Sequence, residues 1–206
     1  EVFFCSFRED LAKALPGVMM SADLSNEIRD FRKDEIDFAI RSFEAEDNPD
    51  LVARYLGKLR DVVVCAPRFT RKHPSLRSHD PGDPKVLSAH ECILSTTDER
   101  WNTWTLSSAR EEIQVRVTGK LTTNQYTLAR RYALEGLGIA RLPYYMVSED
   151  LKSGELMQLF PQYEIATHPI YLVYPKGTYT PKRTKTARDA ILHWFKKHPE
   201  IFLKAT

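Results

Sequence analysis

Two short apolar runs constrain this chain more than anything else in it. Arg60–Pro67 (RDVVVCAP) and Pro169–Pro175 (PIYLVYP) are dense in β-branched and aromatic residues, and each ends at a proline. Runs of this kind read as buried strands. Roughly a hundred residues with their own helical and strand patterning lie between them. A stretch of that length held between two extended segments reads as one lobe, residues 67–167, inserted into another made of 1–66 and 168–206. The two strands are then the only crossings. A hinged pair of α/β lobes leaves a cleft, and a small molecule is the default occupant of such a cleft.

Composition narrows the field. Of 206 residues 42% are hydrophobic, enough for real cores, and the formal net charge is only +2. Basic and acidic residues alternate except in Lys182–Arg188 (KRTKTAR), which reads as the solvated start of a terminal helix; the clustered basic stripe of a duplex-binding surface is missing. Cys5, Cys65 and Cys92 form no CxxC pair, and Cys65 sits in an apolar strand as a small buried hydrophobe. A reducing compartment suits these thiols better than a disulfide framework does. No apolar run reaches membrane-spanning length, and the opening EVFFCSF lacks the pattern of a signal peptide.

Taken in order, the chain predicts an amphipathic helix over Phe3–Leu15, a strand at Val18–Met20, a second helix through LSNEIRDFRKD and a strand at Ile36–Ile40. An acidic loop, Ser42–Pro49, precedes an extended run at Leu51–Leu56 and the first crossing. Prolines place Pro67–Lys85 in turns and short helical pieces. Strands are predicted at Cys92–Leu94, Trp101–Leu106 and Ile113–Val117. The longest helix of the inserted lobe follows Asn124, with Thr123 or Asn124 as its cap, and ends at Gly136. Gly136–Ile139 turns into a strand that Pro143 stops, Leu151–Phe160 holds a turn around Gly154, and a last helix spans Lys185–Lys197.

Catalytic patterns are missing. There is no GxGxxG after a strand, no GxxxxGK[ST] and no HExxH. Gly136 and Gly138 follow a helix, which makes them a helix-to-strand turn. The six histidines are scattered, Ser107-Ser108 lacks the glycines of a nucleophile elbow, and Asp34, Glu35 and Asp37 are divided between a helix end and a strand. The chain therefore reads as no enzyme, with no metal or cofactor implied. Groups suited to binding gather elsewhere: Ser95–Thr97, Thr122–Asn124 and Pro143-Tyr144 all fall at strand ends or helix starts. Exposed N–H groups at the helix after Asn124 suit an anion, although Thr123 and Asn124 serve equally well as plain caps.

At this point the motifs resemble a known family. FRKDEIDFAIR (Phe31–Arg41), LVARYL (Leu51–Leu56), VVVCAP (Val62–Pro67), HECI (His90–Ile93), Trp104, Gly119–Asn124, EGLGIARLP (Glu135–Pro143) and Gly154-Glu155-Leu156 occur in the order seen in the effector-binding domain of LysR-type transcriptional regulators. The resemblance covers nearly the whole chain. It implies an α/β fold of two Rossmann-like lobes joined by two crossover strands, like a type 2 periplasmic binding protein, with an effector in the cleft. Leu24, Ser25, Arg41, Ser95, Thr96, Thr97, Thr123, Asn124, Leu142 and Pro143 would face that effector. The family's first strand and its winged helix-turn-helix head would precede Glu1, so operator DNA would be reached only through that head, in the cytoplasm and with no membrane partner. A free-standing solute-binding protein and a purely oligomerising module remain the alternatives.

Self-association is the last expectation. Phe3, Phe4, Phe7 and Leu11 give the first helix a broader aromatic face than one small lobe easily buries. The resemblance implies a side-by-side antiparallel homodimer in which this helix meets the partner's helix corresponding to Gln125–Glu135, which carries Arg130 and Arg131. A tetramer of the full-length protein stays open.

Overall fold

A computed structural model describes residues 2–25, 27, 29–41, 48–76, 82–96, 99–165, 167–177 and 181–202, with the side chains of 2–6 and 200 left outside the description. The chain divides into two compact units, 1–59 with 168–206, and 60–167.

In the first unit, helix α1 (Val2–Ala14) packs on the terminal helix α5 (Lys182–Lys197). Phe7 is 4% exposed, and its ring stands edge-on to Trp194, 5.7 Å between centroids, and tilted against Phe195 at 6.2 Å. Leu11 is buried beside it along the chain. Strand β1 (Ala39–Arg41) pairs antiparallel with β10 (Thr167–Pro175), Ile40 opposite Leu172, and β10 lies between β1 and β2 (Leu51–Cys65).

The expectations for this unit need four corrections. Val18–Met20 is not a strand: Met19 is 96% exposed, and no strand pairs with this stretch among the described residues. The second helix is a turn at 31–35, because the Asp30 carboxylate accepts the N–H groups of both Arg32 and Lys33 at 2.9 Å, a local bond that competes with helix formation. The strand expected at Ile36–Ile40 begins only at Ala39. Leu51–Leu56 and the crossing run are one strand of 15 residues that continues through Gly57, where a Cβ would lie 2.4 Å from the Phe202 ring.

The second unit begins where β2 becomes buried on every residue from Asp61 to Cys65. Here β2 pairs antiparallel with β7 (Ala140–Pro143) and β8 (Met157–Leu159). Helix α2 (Pro67–Lys72) follows it. Strand β3 (Glu91–Ser95) runs parallel to β6 (Thr118–Thr123), while β4 (Thr103–Ser107) lies between β5 (Glu112–Arg116) and β9 (Glu164–Ile165). β5 alternates exposed and buried residues as its sequence predicts. Helix α3 (Tyr126–Leu134) ends ahead of Gly136, whose φ of +62° favours glycine.

Helix α4 (Tyr144–Ser153) is a helix the sequence does not predict, as it does not predict strands β6, β8 and β9, and at 10 residues it exceeds the nine of α3. Pro143 reads as a stop but occupies the N-cap of the next helix. On α4, Asp150 is buried and accepts both Nε and an Nη of Arg130, at 2.6 and 2.5 Å, which ties α3 to α4.

Two predictions follow from this packing. Phe7→Ala removes a buried aromatic ring and is expected to lower stability by about 3–5 kcal/mol, read as a fall in the denaturant midpoint. The free thiols of Cys65 and Cys92 are buried in the second unit's core, and burial pushes both up to about 12. With so little thiolate at neutral pH they should stay unmodified under mild peroxide, as read by intact-mass spectrometry; rapid reversible oxidation of either would contradict this.

Candidate functional site

Two strands of the second unit run in the same direction and end in register, and the chain entering a third strand joins them in the same sense. β3 is parallel to β6, and Cys92 forms a parallel bridge with Ile139 at the entrance to β7. In open α/β sheets, ligands meet the carboxyl ends of strands where neighbouring connections diverge. The carboxyl ends here carry Ser95, Thr123 and Pro143. The approach of β6 to β3 depends on Gly119, because a Cβ there would come 1.7 Å from the carbonyl oxygen of Cys92.

Ser95 and Thr123 are register partners across the β3–β6 ladder. One residue further on, the N–H of Thr96 donates to the Thr123 carbonyl at 3.2 Å, so the ladder continues past the end of β3. Asn102 clasps Ser95 with both ends of its amide. Its Oδ1 accepts the Ser95 N–H at 2.8 Å, and its Nδ2 donates to the Ser95 carbonyl at 3.1 Å. The Thr123 hydroxyl accepts the N–H of Gln125 at 3.0 Å. The N-cap of α3 is therefore Gln125, with no side-chain cap bond, instead of Thr123 or Asn124. The Thr123 hydroxyl thus bonds within the turn that leads into the helix, and the first turn of α3 lies beside the strand ends.

Below this rim lies a charged pair. Arg141 on β7 donates through Nε to Asp61 on β2 at 2.8 Å, with the two side chains 9% and 3% exposed. The Arg141 guanidinium also sits 5.3 Å from the ring centre of Trp101. Tyr126, the first residue of α3, is 42% exposed. Desolvation, followed by the nearby Asp61 carboxylate and opposed by Arg141, pushes that phenol up to about 12, so it is a hydrogen-bond donor at neutral pH.

The sequence-selected residues divide by unit. Ser95, Thr96 and Thr123 come together, with Asn124 exposed alongside; Thr97 lies outside the described residues. The Leu142 side chain is fully buried and Pro143 is buried opposite Asp61, so neither side chain is open to solvent. In the first unit Leu24 is 52% exposed, and the hydroxyl of neighbouring Ser25 accepts the Glu27 N–H. Arg41 donates to the Arg29 carbonyl at 3.1 Å and stacks 5.0 Å from the Phe31 ring centre.

The residues chosen for a dimer face behave differently from expectation. Phe7 and Leu11 are consumed by the packing within their own unit, because α5 supplies Trp194 and Phe195 to cover the aromatic stripe. Phe3 and Phe4 lie outside the described side chains. Arg130 is engaged by Asp150, whereas Arg131 pairs with Glu135 at 2.6 Å and stays 70% exposed.

Asp61, Trp101, Asn102, Tyr126 and Arg141 escaped the sequence reading. The signal available was Asp61 and Arg141, an acid and a base set in the apolar strand runs DVVVCAP and GIARLP. Among the described residues, no group of three or more His, Cys, Asp or Glu side chains could hold a metal, and no helix is long and apolar enough to cross a membrane. His90 bonds the Ser75 hydroxyl through Nε2 at 3.0 Å and meets the His73 ring, a local structural contact.

Comparison with known proteins gives a consistent result. The chain is 27% identical over 192 residues to the HTH-type transcriptional regulator DmlR of Escherichia coli K12, covering 91% of this chain and 59% of that protein. It is 30% identical over 141 residues to the HTH-type transcriptional regulator CrgA of Neisseria meningitidis serogroup C, covering 68% of this chain and 45% of the relative. The chain thus spans less than two thirds of the length of these relatives. Among solved structures, the regulatory domain of CrgA from Neisseria meningitidis superposes with a TM-score of 0.79 at 24% identity, over 93% of this chain and 91% of that one. Full-length AphB of Vibrio cholerae also gives 0.79, at 21% identity over 93% and 63%. These two likenesses establish the fold, that of LysR regulatory domains and of type 2 periplasmic binding proteins. The family description "LysR substrate binding domain" matches residues 6–196, and the chain belongs to that family of non-enzymatic, effector-binding regulator domains.

Proposed function

We propose that this chain senses a small organic anion for a LysR-type DNA-binding transcriptional regulator that works in the cytoplasm. The observation that carries the anion reading is the strand-end rim of the second unit. Ser95, Thr96 and Thr123 lie side by side there, next to the start of helix α3. Hydroxyls orient a carboxylate and a helix N-terminus favours its charge. Operator DNA is the business of a helix-turn-helix head, as the names of the curated relatives indicate.

Isothermal calorimetry against aliphatic and aromatic carboxylates should find a binder. Thr123→Val should weaken it by up to about tenfold, the loss of one hydrogen bond. Binding of neutral or cationic compounds with no carboxylate among the hits would overturn the anion assignment.

We further propose that the domain forms a homodimer through α3 and not through Phe7. Leu128 and Leu137 on and just after α3 are 41% and 50% exposed, an apolar surplus beside the exposed Arg131. In a two-fold interface each substitution acts twice. Leu128→Asp is expected to shift sedimentation towards monomer while circular dichroism stays unchanged. Wild-type protein that sediments as a monomer at high micromolar concentration would rule the dimer out.

A further inference from the structure

The buried Asp61–Arg141 pair has no place in the effector reading so far, and its position is specific. Asp61 is the second residue of β2 inside the second unit, on the strand that arrives directly from the first. Register places Asp61 opposite Pro143 and Val63 opposite Arg141, so Asp61 and Arg141 are diagonal neighbours on one face of the β2–β7 ladder. A buried ion pair seldom adds net stability over apolar residues of similar volume, so its presence calls for a reason other than stability.

The surroundings supply one. Arg141 stacks towards Trp101, and the next residue, Asn102, clasps Ser95 at the rim of the candidate site. The Asn102 carbonyl also accepts the Val117 N–H at 2.9 Å, so the short helical segment Glu99–Asn102 is held from two sides. One wall of the rim, the Ser95 end of β3, thus refers to an ion pair anchored on β2. The preceding residue reinforces the anchor, because the Arg60 guanidinium sits 3.9 Å from the ring centre of Tyr144, the first residue of α4.

We propose that Asp61 and Arg141 are positioning residues for the candidate effector site, and that Trp101–Asn102 links the state of its rim to the entry of β2. This rests on the effector reading of that rim. Ordering of the Ser95 end by a bound anion draws on Asn102. Asn102 and Trp101 move as one short segment, and Trp101 bears on the guanidinium that holds Asp61. The coupling therefore reaches β2 at Asp61, through a directional charged contact instead of through the apolar core.

Hydrogen–deuterium exchange on the intact protein tests the link without any ligand. Asn102→Ala removes the clasp and leaves the ion pair in place. It should raise exchange in peptides covering 60–64 by roughly threefold or more, while peptides from β5 keep the wild-type rate. Trp101→Ala should do the same and Trp101→Phe, which keeps an aromatic ring, should largely restore protection. Lys152→Ala, at an exposed residue of α4, serves as the control. Exchange at 60–64 that is unchanged in both alanine variants, or that rises uniformly across the unit as global destabilisation would cause, overturns the proposal. In a second arm, citrate and benzoate are titrated by calorimetry into wild type and Asp61→Asn, with a fall in affinity expected for whichever probe binds. If neither probe binds wild type, the anion reading loses support while the exchange experiment still decides the link.

Discussion

One strand has to satisfy two environments, and much of the structure depends on how its sequence does so. β2 is continuous over 15 residues, yet its first half is largely exposed or half-buried and its last five residues are buried on both faces. Residues 51–60 (LVARYLGKLR) mix polar and apolar side chains, as a partly wet strand requires, whereas Val62–Cys65 is uniformly apolar, as expected of a strand flanked by β7 and β8. Asp61 stands where the character changes. A carboxylate at 3% exposure is met there by Arg141 at 2.8 Å; removing one partner from a buried pair costs about 3–5 kcal/mol.

The candidate site is built from backbone constraints before side chains enter. Gly119 lets β6 approach the Cys92 carbonyl, which brings Ser95 and Thr123 into register. Their continuation through Thr96 and Gln125 then determines where α3 begins. The hydroxyls are displayed by strand ends, and the charged pair beneath is held by β2 and β7. Rigid elements thus support the rim from below, the arrangement under which small ligand-induced shifts are transmitted and not absorbed.

Much of this was legible in the sequence. The two crossing runs, β3, β5, α3 and α5 carried patterns of the right period, and Ser95, Thr96 and Thr123 were recognisable as polar residues at strand ends. What was lost was lost for identifiable reasons. The Asp30 side chain claims two backbone N–H groups that a helix would need, a choice that periodicity does not register. Pro143 both ends a strand and starts α4, so one punctuation mark served two elements. The buried Asp150 broke the apolar stripe of α4, because its partner Arg130 lies on another helix. Asp61, Arg141 and Trp101 meet only through tertiary structure, as Phe7 meets Trp194.

The packing of the first helix on the last has a consequence for synthesis. Unit two is contiguous, 60–167, and its closing strands are available as soon as that stretch has been made. Unit one is not: Phe7 waits for Trp194 and Phe195, a loop closure spanning nearly the entire chain. Emerging from a ribosome, the inserted unit can fold first while α1 carries an uncovered aromatic face until α5 arrives. The interval of greatest exposure to chaperones and to aggregation therefore falls on the first unit and ends only with the last helix.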